Sequence, residues 1–393
     1  MARLRFLTAG ESHGPMLTGI LDGVPAGLVL DKAAIEHQLH RRRQGHGRSP
    51  RQLLEKDDVE IVGGVRYGRT TGAPIAMLLK NAEAARWADV LSVWPIAKPA
   101  ARRTVPRPGH ADLAGLQKYD LDDVRDILER ASARETAMRV ALSTIARQLL
   151  AQVGIEVGSD VIDIGGIGCD VVDVDGFGGV AGARDRADAS PVRCLDDEAA
   201  TRMVAAIDAA KKSGQTLGGR FVVRASGLPP GLGSHTQWDR RLSATLSAAV
   251  ASIHAVKSVA VGAGDAYAHT PGKAAHDAFV VDDNGPRRTS NRAGGLEGGM
   301  TTGEELRLVA TLKPFSTVPG GLPSFDLDTG AADTGLVERS DVCAVPAGAV
   351  VGEAMVCLAL ADALLDALGG DNMAELVEHV ADRRRRAQRP RRT

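Results

Sequence analysis

Five short segments of the chain gather side chains that move protons or grip anions. The first is Gly10-Glu11-Ser12-His13-Gly14. It fits the Gly-x-Ser-x-Gly pattern of a serine nucleophile on a strand-to-helix turn, but Gly and Pro interrupt residues 15–25, where that turn demands a helix. His13 reads on pattern alone as a structural loop histidine, with a general acid as the alternative. The second segment, His40 to Arg51, holds five arginines and no acid in twelve residues. Cations suit a helix C-terminus, which accounts for the first three arginines. Arg48 and Arg51 lie beyond, in a Gly-punctuated loop suited to clamping phosphate or carboxylate through bidentate guanidinium contacts.

In the third segment, Arg102 to Asp112, Pro106 and Pro108 stiffen a loop that presents Arg107 and His110. In the fourth, Glu129 to Thr136, Ser132 and Glu135 form a capping-box pattern that predicts a helix break, with a new helix starting near Ala133. A fresh helix N-terminus flanked by Arg130 and Arg134 suits an anion; a capped helix with a surface ion pair is the plainer reading. The fifth segment, Glu338 to Pro346, sets Arg339 and Asp341 in apolar surroundings, as a structural ion pair or as perturbed functional charges. Other patterns lead nowhere. Gly176 to Ala181 mimics a dinucleotide fingerprint but lacks a helical pattern after it, and His269 and His276 have poor metal spacing, so no metal is expected.

The elements that must position these segments alternate without a strict βαβ rhythm. Strands are predicted at Leu4–Thr8, Val59–Val65, Ala73–Leu79, Val161–Ile164, Arg220–Ala225, Phe279–Val281 and Glu305–Leu312. Helices are predicted from the Asp31 N-cap to Arg43 and over Asp122–Glu129, Arg134–Val153, Asp197–Lys212, Trp238–Lys257, Ala349–Leu368 and Met373–Arg384. Asp170–Pro191 and Gly262–Thr289 read as long loops. Hairpins mixed with long helices predict an α+β fold with antiparallel sheets in a single large domain, residues 1–382, followed by an Arg-rich flexible tail, 383–393.

Composition narrows the function. The 393 residues carry a formal charge of −1, but seven arginines and no acid fall in 383–393, so the body carries −8. An acidic body with 3% aromatics offers no stacking platform for single-stranded nucleic acid, and the tail reads as a solvated end. Cys169, Cys194, Cys343 and Cys357 show neither paired nor zinc spacing and read as free thiols of a cytoplasmic protein. The most apolar stretch, Ala347–Leu368, is interrupted by Glu353, Asp362 and Asp366, so no membrane partner is expected.

Taken in order, GESHG (10–14), RPGHAD (107–112), ERASARET (129–136), NRAGGLEGGMT (291–301), LKPFSTVP (312–319) and RSDVCAVPA (339–347) resemble the signatures of the chorismate synthase family, from residue 3 to about 380. The resemblance implies helices sandwiched between antiparallel β-sheets, assembled as a homotetramer. It implies anti-1,4-elimination of phosphate from 5-enolpyruvylshikimate 3-phosphate to give chorismate, with reduced FMN required and no net redox change. It implies His13 as proton donor to the phosphate, His110 beside the flavin, and Asp341 assisting the flavin nitrogen as base. Substrate anions would fall to Arg42, Arg48, Arg51, Arg107, Arg134 and Arg339, with Ser12 and Ser132 adding hydroxyls. FMN contacts would be Arg130, Ala131, Ser132, His254, Ala255, Gly298, Lys313, Pro314, Phe315, Ser316, Thr317 and Arg339. Arg42 and Arg48 would also take NADPH where the enzyme reduces its own flavin. The chain departs from the family in carrying His46 where a tyrosine is usual, Ser49 near a usual glycine, Ser258 for glycine, and a divergent stretch at His269–Phe279.

Overall fold

The computed structural model describes residues 3–49, 57–282, 285–336 and 341–388. Strands β1 (Arg5–Ala9), β2 (Met16–Asp22), β3 (Val59–Gly63) and β4 (Ile75–Lys80) form a sheet in the order β1-β2-β4-β3, every pair antiparallel. Alternation along β4 sends Ile75, Met77 and Leu79 inward, so one face of the sheet is apolar. Strands β5 (Glu156–Ile164), β6 (Gly219–Ser226), β7 (Val256–Val261) and β8 (Leu306–Leu312) form a second antiparallel sheet, ordered β7-β8-β6-β5, with Ile167–Gly168 as a short fifth strand beside β5.

The main helices are α1 (Lys32–Arg43), α2 (Asp112–Tyr119), α3 (Val124–Leu128), α4 (Thr136–Gln152), α5 (Gly179–Asp188), α6 (Asp197–Lys212), α7 (Leu242–Ala251), α8 (Val345–Leu368) and α9 (Met373–Gln388), with single turns at Ala84–Trp87 and Gly272–Ala275. Asp31 starts α1 as expected, its carboxylate accepting from the Ala33 amide at 2.9 Å. α4 packs on β2 of the first sheet, α8 packs on β5 and β6 of the second, and α1, α4 and α8 pack on one another. One continuous apolar core therefore runs from sheet to sheet through a helical layer. That is the expected α+β sandwich.

α8 is the centre of this layer. By length and a mean hydropathy of 1.9 it could cross a membrane, but 89% of that window is buried inside the protein. Gly348 and Gly352 let the second sheet settle on its backbone: a Cβ would lie 2.8 Å from the Leu312 side chain at Gly348 and 2.6 Å from the Phe221 ring at Gly352. Of the three acids on this helix, one is buried in the core. Glu353 is fully buried and accepts from both terminal nitrogens of Arg41 (2.7 and 2.8 Å), from Ser159 Oγ at 2.6 Å and from Arg147 and Arg193. Burial alone would raise its pKa, but Arg41 and Arg147 overwhelm that effect and hold it far below the ordinary value. The cluster fastens α1, α4 and β5 to α8.

Several sequence expectations need correction, among them the long loop at Gly262–Thr289, which holds a helical turn (Gly272–Ala275) and a hairpin (Phe279–Asp282 with Gly285–Arg288). The helix predicted over Trp238–Lys257 ends at Ala251, and residues 256–261 form edge strand β7, because β8 offers its backbone there. Asp170–Pro191 contains α5, whose Val180, Ala183 and Ala187 share one buried face. A helix therefore does follow Gly176–Gly179, yet a single 3₁₀ turn precedes it rather than a strand, and the dinucleotide pattern still fails. α2 was not anticipated. Finally, α9 continues past Arg383 to Gln388: Asp382 pairs with Arg385 and Arg386, and Arg384 donates to the Gly227 carbonyl at 2.6 Å.

Candidate active site

A cavity of about 490 Å³ opens where the turns of both sheets meet the helical layer. The β1–β2 turn contributes Ser12 and His13, the end of α1 and its following loop contribute Arg42, Arg48 and Ser49, and the stiff loop before α2 contributes Arg107 and His110. The α3–α4 break contributes Ala131 to Arg134, the α7–β7 link His254 and Ala255, the segment after β8 Lys313 and Phe315 to Thr317, and the segment leading into α8 Asp341. Leu128, Leu217, Ile253, Leu312, Val345 and Val351 form an apolar wall.

The break between α3 and α4 forms as the capping pattern predicted, with Ser132 accepting from the Arg134 amide at 3.3 Å. The Ser132 hydroxyl also donates to Ser12 Oγ at 3.1 Å, tying the break to the β1–β2 turn. β2 begins at Met16, so no helix follows Ser12 and the serine-nucleophile reading is overturned.

Each histidine turns Nδ1 to a buried carboxylate. His13 Nδ1 lies 3.0 and 3.1 Å from the oxygens of Glu129, and its ring packs on Trp87 with centroids 4.4 Å apart. Burial would raise the Glu129 pKa, but the hydrogen bond from His13 outweighs it and lowers the value. His110 Nδ1 contacts Asp112, which also accepts from Arg107 Nε at 2.9 Å and from the Arg107 amide at 3.0 Å. Here too burial acts upward, and the bonds from His110 and Arg107 hold the carboxyl at about 2.

The arginines are fixed by buried partners. Arg134 donates to Asn81 Oδ1 at 3.0 Å and to Asp57, and Arg42 donates to Thr136 Oγ1 at 3.1 Å, with Asp57 3.8 Å away. Asp57 adopts φ of 47°, a left-handed conformation uncommon outside glycine, as it faces both guanidinium groups. Arg48 donates to Asp341 at 2.6 Å, and the Ser49 amide donates to the other oxygen at 2.7 Å. Lys313 donates to the Gly109 carbonyl, joining two loops across the cavity mouth, and burial lowers its pKa. Burial likewise lowers the pKa of His254, whose Nδ1 is 3.6 Å from Glu135.

Of the expected site residues, Arg51 and Arg339 lie outside the described residues. Arg130, Pro314 and Gly298 are not among the residues lining the cavity: Arg130 donates to the Gly10 and Thr8 carbonyls, and Gly298 sits in the turn between Glu297 and Met300. All the others line it. His46 turns away and meets Asp208 on α6 at 2.7 Å, anchoring the arginine loop. Asp57, Trp87, Glu129 and Asp112 were not assigned from sequence. Only Asp112, two residues after His110, carried a spacing that signals a histidine partner.

The arrangement can neutralise several anionic groups, exchange protons through two imidazoles, and hold a flat apolar ring system against one wall. That donor set fits a polyanionic substrate beside a flavin-like ring. Among the described residues, no group of His, Cys, Asp and Glu is arranged to hold a metal.

A family model described as chorismate synthase matches residues 4–365. A chorismate synthase of Acidothermus cellulolyticus is 53% identical over 95% of this chain and 96% of its own length. One from Salinispora tropica is 50% identical over 96% and 97%. A crystal structure of chorismate synthase superimposes with a TM-score of 0.78 at 37% identity, covering 98% of both chains.

Proposed function

The chain belongs to the chorismate synthase family of lyases, and on that premise we propose that its cavity holds reduced FMN beside 5-enolpyruvylshikimate 3-phosphate and eliminates phosphate in the anti-1,4 sense to give chorismate. The observation that carries the residue roles is the convergence of His13, His110 and Asp341 with Arg42, Arg48, Arg107 and Arg134 on one cavity that also has an apolar wall.

The substrate brings two carboxylates and a phosphate. Arg42, Arg48, Arg107 and Arg134 bind them, together with Arg51 and Arg339, and Ser12 and Ser132 add hydroxyl contacts. His13 hands a proton to the phosphate oxygen as the carbon–oxygen bond breaks. Ala131, Ser132, His254, Ala255, Lys313 and Phe315 to Thr317 hold the flavin, and the apolar wall keeps water from the reacting face. Reduced flavin, when bound, supplies electron density for phosphate departure and a nitrogen base for the ring proton. His110 steadies charge beside that ring, and Asp341 sets a carboxylate next to the base. Where the enzyme reduces its own flavin, NADPH draws on Arg42 and Arg48.

The reading includes one catalytic unit over residues 1–382, a cytoplasmic location and a homotetramer. Support for assembly is the outward face of the first sheet, which exposes Leu7, Ile20 and Val62; light scattering on the purified protein tests it. The activity is tested by mixing protein anaerobically with substrate and chemically reduced FMN. Equal amounts of chorismate and phosphate are expected, and repeating the assay with NADPH and oxidised FMN reports self-reduction. Folded, FMN-bound protein that releases neither product overturns the assignment.

A further inference from the structure

The two buried carboxylates behind the histidines are not equivalent. Asp112 is shared with Arg107, whose Nε and amide both donate to it. Glu129 is given over to the turn that carries His13. Its side chain is 2% exposed, and both its oxygens lie within 3.1 Å of His13 Nδ1. One of them also accepts from the His13 amide at 3.0 Å, and the Glu129 carbonyl accepts from the Ser12 amide at 3.1 Å. Arg125, one turn earlier, stands 3.5 Å from the carboxylate, and its guanidinium lies 5.2 Å over the Trp87 ring against which His13 packs.

We propose that Glu129 is the positioning residue of His13, holding the ring in one orientation with its proton on Nδ1 and leaving Nε2 for the cavity. An ionised carboxylate only accepts, so Nδ1 must be the donor. Free histidine side chains prefer the other tautomer, with the proton on Nε2, and a carboxylate at Nδ1 reverses that preference, as in serine-protease triads. The proposal rests on the reading of His13 as proton donor. In that step the Nε2 proton of the doubly protonated ring passes to the departing phosphate oxygen. The carbon–oxygen electron pair leaves with that oxygen, and the ring is left neutral with its proton on Nδ1. Glutamine cannot fully replace Glu129, because its NH2 sets a donor against Nδ1 where the carboxylate has its second oxygen, and it lacks the charge that favours the doubly protonated ring.

The test uses full-length protein labelled with ¹⁵N-histidine, with His13→Ala identifying the His13 signals. At alkaline pH the wild-type ring is expected to be protonated on Nδ1; a wild-type ring protonated on Nε2 overturns the proposal before any Glu129 variant is made. In Glu129→Gln the ring moves toward the Nε2–H form and kcat falls between about 10- and 100-fold, while KM stays within about threefold. Glu129→Asp restores the Nδ1–H signal and part of the rate. A Glu129→Gln ring that keeps its wild-type nitrogen shifts also overturns the proposal. A ring that changes tautomer while kcat stays constant supports the positioning by Glu129 and instead removes His13 from the proton-donor role.

Discussion

Arg48, from the loop after α1, and Asp341, immediately before α8, form an ion pair 2.6 Å long inside the cavity. A proposed anion-binding residue is thus joined to the proposed partner of the flavin nitrogen. Their substitutions are expected to be non-additive. Asp341→Ala alone lowers kcat by about 10²-fold, but costs much less in an Arg48→Ala background, since the geometry it depended on is already gone. A double-mutant cycle on kcat/KM measures this, and strict additivity would show that the pair is incidental.

His13 and His110 are expected to fail differently. His13→Ala lowers kcat by about 10²- to 10⁴-fold with little change in FMN affinity. His110→Ala weakens reduced-flavin binding as well as turnover. Anaerobic flavin titrations beside single-turnover product assays separate the two, and equal flavin affinities in both variants would remove His110 from the flavin site.

The depressed pKa of Asp112 makes a statement about stability. Its carboxyl titrates at about 2 in the folded protein against a reference of 3.8. The charged form is the one favoured by folding, so the contribution is complete above pH 3.8 and disappears as pH falls through 2. It is worth about 2 kcal/mol at neutral pH. Urea denaturation of wild type and Asp112→Asn should show a gap of that order at pH 6 that narrows by pH 3. A gap independent of pH contradicts the assignment.

Glu353 should matter more to stability than to chemistry. Glu353→Ala leaves Arg41, Arg147 and Arg193 buried without their common anion and is expected to cost about 3–5 kcal/mol. Guanidinium denaturation measures it, and a loss below about 1 kcal/mol would mean that the cluster relaxes into water.

Local patterns were readable from sequence wherever the physics is local. The Asp31 cap and the Ser132 break are set by neighbours two or three residues away, and both formed as expected. The arginine cluster stood out because a basic run in an acidic body needs a reason, and Arg42 and Arg48 from it do line the cavity. The supports of the site residues were not legible. Asp57 meets Arg134 across 77 residues and Glu129 meets His13 across 116, separations at which no periodicity operates. β7 was misread because alanine, serine and valine take either conformation until β8 pairs with them. α5 was hidden by glycine and aspartate, although Val180, Ala183 and Ala187 already carried the helical spacing.

Gly348 and Gly352 have a bearing on which relatives this cavity can resemble. Gly348 lines the cavity on one side and, on the other, is where Leu312 comes to rest; Leu312 itself lines the same cavity. A methyl group added at Gly352 meets the buried Phe221 ring and the Val223 side chain and pushes the second sheet off α8, whereas one at Gly348 meets the end of the Leu312 side chain and displaces it within the cavity. The seating of the second sheet on α8, and with it the apolar wall of the cavity, is therefore set by two absent side chains in the protein interior. Chains that differ at these positions would be expected to differ in the shape of this cavity, even with every polar residue that lines it retained.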